Sequence, residues 1–130
     1  MIIEKLDTYK EIRSMASKKI SDAKTRIKAK NKSKKYKGKS PLTVEIDHKF
    51  VLQLLRQSGC KCLYTGKYFV FEKHHPLNFS IDRFDSSKGY TRENVQVIGS
   101  WVNKAKSNLP EEEFLSLIAS VNSENNCLQK

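Results

Sequence analysis

Between Lys24 and Ser40 the chain carries nine cations and no acid, with Tyr36 as the one aromatic residue. A run like this either stays solvated or meets a polyanion, and it leaves core formation to the segments on either side. The imbalance is local. Residues 1 to 40 hold 14 Lys and Arg against 4 Asp and Glu, whereas residues 41 to 130 hold 11 against 10. Upstream, Leu6, Tyr9, Ile12, Met15 or Ala16, Ile20, Ala23 and Ile27 recur every three or four positions, the stripe of an amphipathic helix from about Ile3 to about Lys28. Beyond it, KAKNKSKKYKGKS loses the periodicity and gains Asn, Ser and Gly, so a flexible basic linker is expected up to Pro41. The expected division is a basic helix and arm over 1–40 and a folded domain over 41–130. The cations Lys24, Arg26, Lys28, Lys30, Lys32, Lys34, Lys35, Lys37 and Lys39 are candidates for nucleic-acid phosphates, which give affinity without sequence choice. A membrane-surface helix is disfavoured because the stripe is thin and has no Trp or Phe.

With 130 residues, 38% of them hydrophobic and 30% charged, the chain suits one small domain with an appendage. No apolar stretch approaches a membrane span, and the opening MIIEKLD meets charge too soon for a signal peptide, so the expectation is a cytoplasmic protein. Cys60, Cys62 and Cys127 are too few for a disulfide framework.

After Pro41, Asp47 is placed to cap a helix bearing Phe50, Val51, Leu54 and Leu55, and Gly59 to end it. The segment CKCLYTGKYFVFEKHHPLNFSIDRF, with turn signals at Thr65-Gly66 and Pro76, predicts short strands. Ser86 to Asn94 reads as a loop whose Lys88-Gly89 step suits positive φ, followed by a strand with Val95, Val97 and Ile98. WVNKAKSN fits a short helix with Trp101 available to the core, and Pro110 opens a last helix, PEEEFLSLIASV. Strand, loop, strand and short helix would bring Asp82 and Asn103 to one hard, oxygen-seeking cation such as Mg²⁺.

The run SIDRFDSSKGYTRENVQVIGSWVNKAKSNLPEEEF, preceded by QLLRQSGCKCLYTG, resembles the HNH or His-Me finger endonucleases of phages and mobile elements. The resemblance covers roughly Thr43 to Phe114. It implies an α+β fold, a ββα-metal finger of a β-hairpin and a short helix packed with flanking helices and preceded by the basic helix. The implied activity is hydrolysis of DNA phosphodiester bonds with one Mg²⁺ or Mn²⁺ ion, on duplex DNA in a host cell; the alternative is an inactive nucleic-acid-binding or protein-interaction module. Asp82 stands at the position of the first metal-binding aspartate, Asn94 at that of the asparagine that orients the catalytic histidine, and Asn103 at that of the second metal ligand. Arg83 takes the place of the histidine base, and Lys88, Lys104 and Lys106 join the arm as DNA-binding candidates.

Arginine stays protonated in proteins and has no acceptor atom, so Arg83 cannot take a proton from water. It suits the scissile phosphate or the charge that develops on it. The proton then leaves through a water on the divalent ion, or through Asp85, His74 or His75. Many relatives carry two Cys pairs around a structural zinc. Here Cys60 and Cys62 are separated by one residue, and Gly99 and Val102 stand where the second pair would lie, so zinc is not expected.

Overall fold

The computed structural model describes residues 6 to 128, with side chains described from Thr8 to Val121. The expected helix start at Ile3 and the side chains of Leu6 and Cys127 lie outside the described residues. Within them the protein is α+β, with four α-helices and one two-stranded antiparallel sheet. These are α1 (Leu6–Lys32), α2 (His48–Gln57), β1 (Phe79–Arg83), β2 (Val95–Gly99), α3 (Ser100–Lys106) and α4 (Glu111–Leu128). No helix among the described residues is long and apolar enough to cross a membrane.

The stripe of α1 is the face that packs. Ile12, Ala16, Ile20, Ala23 and Ile27 are buried in the same core as Ile46, Phe50, Val51, Leu52 and Leu55, with Tyr9 and Met15 half-buried beside them. Each buried isoleucine contributes about 1.5 to 3 kcal/mol of apolar transfer. The helix runs to Lys32 instead of ending near Lys28, since Lys and Ala favour helix and nothing in KAKN stops it. What fixes its end is tertiary. The Asn31 Nδ2 donates to the Leu42 carbonyl at 2.9 Å and its Oδ1 accepts from the Leu42 N–H at 2.8 Å, so residues 32 to 41 form a closed loop with a 3₁₀ turn at Lys34–Tyr36.

Helix α2 starts where Asp47 accepts a hydrogen bond from the Phe50 N–H at 2.9 Å, and ends at Ser58 followed by Gly59 at φ +65°. Leu52 is buried there, and Leu54 only half-buried. Between Cys60 and Asn78 regular strand is confined to an isolated Lys61–Tyr68 bridge; polar turns at Thr65-Gly66 and around Pro76 interrupt the apolar run before a ladder can extend. The ladder forms downstream, where β1 pairs with β2 in the register Ile81 to Val97, Asp82 to Gln96 and Arg83 to Val95. All of β2 is buried, covered by α2 and α3, and its one polar side chain, Gln96, is hydrogen-bonded.

Helix α3 follows β2 without a loop. Its first amides are satisfied from upstream, Ser100 N–H by the Asn78 carbonyl at 2.8 Å and Trp101 N–H by the Pro76 carbonyl at 3.1 Å. That docking turns Val102 into the core and leaves Trp101 42% exposed, the reverse of the expectation for Trp101. Gly89 also differs from expectation. Its φ is not positive; a Cβ there would lie 2.3 Å from the Thr43 carbonyl oxygen, so glycine is required by close backbone approach.

Candidate active site

The last four residues of β1 and one face of α3 border a polar cleft of about 290 Å³, lined among others by Asp82, Arg83, Asn103 and Lys104, with Arg26 reaching in from α1 and Tyr90 from the loop. Four successive residues of β1, Ser80 to Arg83, line it, so the cleft runs along the free edge of the strand and meets residues of both its faces.

Asp82 is 5% exposed and its Oδ2 carries the contacts: Lys106 Nζ at 3.0 Å and Gln96 Nε2 at 2.9 Å. Gln96 can reach because it is the register partner of Asp82 across the hairpin. Its Nε2 also donates to the Tyr64 hydroxyl at 3.2 Å, which in turn donates to Glu111 Oε1 at 2.8 Å. Burial pushes the Tyr64 hydroxyl up to about 12, so it remains a neutral donor throughout the physiological range. Lys106 is 2% exposed and also donates to the Arg83 carbonyl at 3.3 Å. It was expected to contact DNA; buried against Asp82, it has no surface to offer a phosphate.

Asn103 donates through Nδ2 to the Ser80 Oγ at 2.7 Å. Among the described residues, no hydrogen bond ends on Asn103 Oδ1 or on Asp82 Oδ1. Two oxygen donors of residues lining one cleft are thus uncommitted. No group of three or more His, Cys, Asp and Glu side chains comes together among the described residues; a site of this kind would be one carboxylate and one amide, completed by water.

Arg83 has a structural task that the sequence did not reveal. Its Nη1 donates to the carbonyls of Ser86 at 3.1 Å and Lys88 at 2.9 Å, and its guanidinium carbon stands 4.9 Å from the centre of the Tyr90 ring. Arg26 Nη2 donates to the Tyr90 hydroxyl at 3.1 Å. Tyr90 thus holds one guanidinium over its face and another at its edge, and both line the cleft. Asn94 is buried in the loop base. It donates to the Asp85 and Gly89 carbonyls at 2.9 and 2.8 Å and accepts from the Asp85 N–H at 3.0 Å, so it holds the loop and orients no imidazole.

No histidine among the described residues lines this cleft. His74 and His75 line a neighbouring cavity, where His75 Nδ1 accepts from the Leu77 N–H at 3.0 Å. Asp85 accepts from both the N–H and the hydroxyl of Ser87, which hold its carboxyl below the ordinary range, a poor setting for a base. The candidate phosphate contacts Lys24, Lys28, Lys32, Lys34, Lys35, Lys37 and Lys39 are exposed along α1 and its loop, as are Lys88 and Lys104. Lys30 is half-buried and donates to the Ser86 carbonyl at 3.0 Å.

Sequence reasoning missed Gln96, Ser80 and Tyr90. Counting back from the hairpin would have found Gln96; nothing local marks Tyr90, whose place is set by the Val44–Tyr90 bridge. Compared with known proteins, the chain matches no family model, no curated protein sequence and no solved structure.

Proposed function

We propose that the protein is an HNH-type endonuclease that hydrolyses DNA phosphodiester bonds with one Mg²⁺ or Mn²⁺ ion, using β1, β2 and α3 as a ββα-metal finger. One observation carries the reading: a single polar cleft gathers the uncommitted oxygens' residues, Asp82 and Asn103, with three cations, Arg26, Arg83 and Lys104. Oxygen donors of this kind suit a hard divalent ion. The packing of Cys62 supports the same topology, since its Sγ accepts from the Gly99 N–H at 3.4 Å, at the strand-to-helix junction where the resemblance to zinc-bearing HNH fingers would put a second Cys pair.

When bound, the ion supplies Lewis acidity to the phosphate and to water. The chain's own residues do the rest. Lys106 and Gln96 fix the Asp82 carboxylate through Oδ2 so that Oδ1 remains available. Arg26, Arg83 and Lys104 take the phosphodiester's charge. Arg83 accepts no proton, and the proton released on hydrolysis passes to solvent.

A second reading, a nucleic-acid-binding module without activity, is favoured by Lys106, whose ammonium already neutralises Asp82 from within. Incubation with supercoiled plasmid in Mg²⁺, Mn²⁺ or EDTA separates the two. Metal-dependent nicking that is lost in Asp82→Asn and reduced in Asn103→Ala is expected. Nicking that survives both substitutions overturns the assigned site, and plasmid binding without nicking in any metal selects the second reading.

A further inference from the structure

We propose that the cleft is the middle of a groove for a single nucleic-acid strand, with Trp101 and Phe84 stacking unpaired bases on either side of the phosphate held by Arg26, Arg83 and Lys104. The inference rests on the nucleic-acid part of the preceding reading and names its substrate class, a strand unpaired where it crosses the cleft.

Trp101 is the one tryptophan of the chain, and the docking of α3 leaves it 42% exposed while its neighbour Val102 fills the core. It lines a cavity of about 230 Å³ together with Lys19, His74 and His75. Ser100 and Lys104 belong to the walls of both that cavity and the central cleft, so the two spaces adjoin. Lys104 lies one helical turn from Trp101, on the same side of α3. At the opposite end, Arg83, Ser86, Ser107 and Asn108 are shared between the cleft and a cavity of about 380 Å³ beside Phe84, which is 44% exposed. A cationic centre is thereby flanked by an exposed aromatic ring at each end.

This is the arrangement that single strands use: cations follow the backbone, and rings take the faces of bases whatever their identity. Paired bases already stack on one another and cannot use the rings, so a duplex engages only the cations. The two ends are unequal. The Trp101 end adds Lys19, whereas the Phe84 end carries Asp85 and Glu111, so Trp101 holds the larger share.

The test uses the full chain in EDTA, where binding is read without cleavage. Tryptophan emission reports on Trp101 alone. Oligo(dT) and oligo(U) of about ten nucleotides, within the span of one such groove, are expected to quench it, and a duplex of the same length to leave it unchanged. By anisotropy of labelled oligonucleotides, Trp101→Ala is expected to weaken single-strand binding about 5- to 150-fold, one base stack. Trp101→Phe should retain most of the affinity, Phe84→Ala should cost less than Trp101→Ala, and duplex affinity should be little altered by any of them. Tighter binding of oligo(dT) than oligo(U), or the reverse, assigns the strand as DNA or RNA. Absent quenching, or a Trp101→Ala protein that melts like the wild type and binds single strands equally well, overturns the groove. Either result leaves plasmid nicking to decide the nuclease reading separately, since nicking needs the ion and the quench does not.

Discussion

The ammonium of Lys106 lies 3.0 Å from the Asp82 Oδ2, and the two side chains are only 2% and 5% exposed. A buried pair of this kind adds little over an apolar pair of the same size, but removal of one member strands the other's charge. Lys106→Met is therefore expected to cost about 3 to 5 kcal/mol, read as a lowered urea midpoint. Asp82→Leu with Lys106→Met should recover much of that loss. A single-variant cost under about 1 kcal/mol, the size of an exposed pair, would show that Asp82 does not depend on Lys106.

Arg83→His is the substitution that the proposed HNH reading invites, since it would supply that family's histidine base. An imidazole is too short to reach both the Ser86 and Lys88 carbonyls as the arginine does, and the loop after β1 would lose its clasp. We expect a stability loss of about 1.5 to 3 kcal/mol, that of a charge-assisted hydrogen bond, with no gain in nicking rate. A rise of about 10²- to 10⁴-fold, the usual scale of general-base catalysis, would show instead that the absent base limits the reaction.

The elements that sequence made legible are those set by local pattern. The stripe Ile12, Ala16, Ile20, Ala23, Ile27, the Asp47 cap and the turn at Gly59 rest on periodicity and backbone chemistry within a few residues, and each is found where expected. What was not legible depends on partners distant in the chain. Trp101 looked like a core residue because tryptophan is apolar, yet the carbonyls of Pro76 and Asn78 orient α3 so that Val102 enters the core. Lys106 looked like a surface cation, and only the crossing of α3 over β1 brings it to Asp82. Arg26 could be counted as a cation of the basic segment, but its reach to Tyr90, 64 residues away, follows from the packing of α1.

Gly89 is constrained by space. An added Cβ would lie 2.3 Å from the Thr43 oxygen and 2.8 Å from its nitrogen. Backbone, unlike a flexible side chain, cannot yield cheaply, so Gly89→Ala must displace the Tyr90 segment, where Tyr90 N–H donates to Thr43 at 2.9 Å and the Glu45 N–H to Tyr90 at 2.8 Å. The expected cost is about 1 to 3 kcal/mol, the usual range for overpacking. Because Tyr90 carries both Arg26 and Arg83, affinity for nucleic acid should fall along with the melting temperature. A variant as stable as the wild type would mean that the Thr43 segment shifts freely.

Asp47 sets an acid limit on α2. Its Oδ1 accepts from the Phe50 N–H, and that bond holds its carboxyl below the ordinary value of 3.8. A group whose folded-state pKa is depressed stabilises the fold fully above its unfolded value and loses that contribution as pH falls through the folded value. The charged cap therefore acts at neutral pH and fades below about pH 4. Asp47→Asn retains an oxygen acceptor without the titrating charge, so it should be less stable than the wild type near neutrality, with the difference shrinking as pH falls below 4, in thermal melts across pH 3 to 7. A difference that stays constant across that range would mean that the Asp47 charge contributes nothing to the cap.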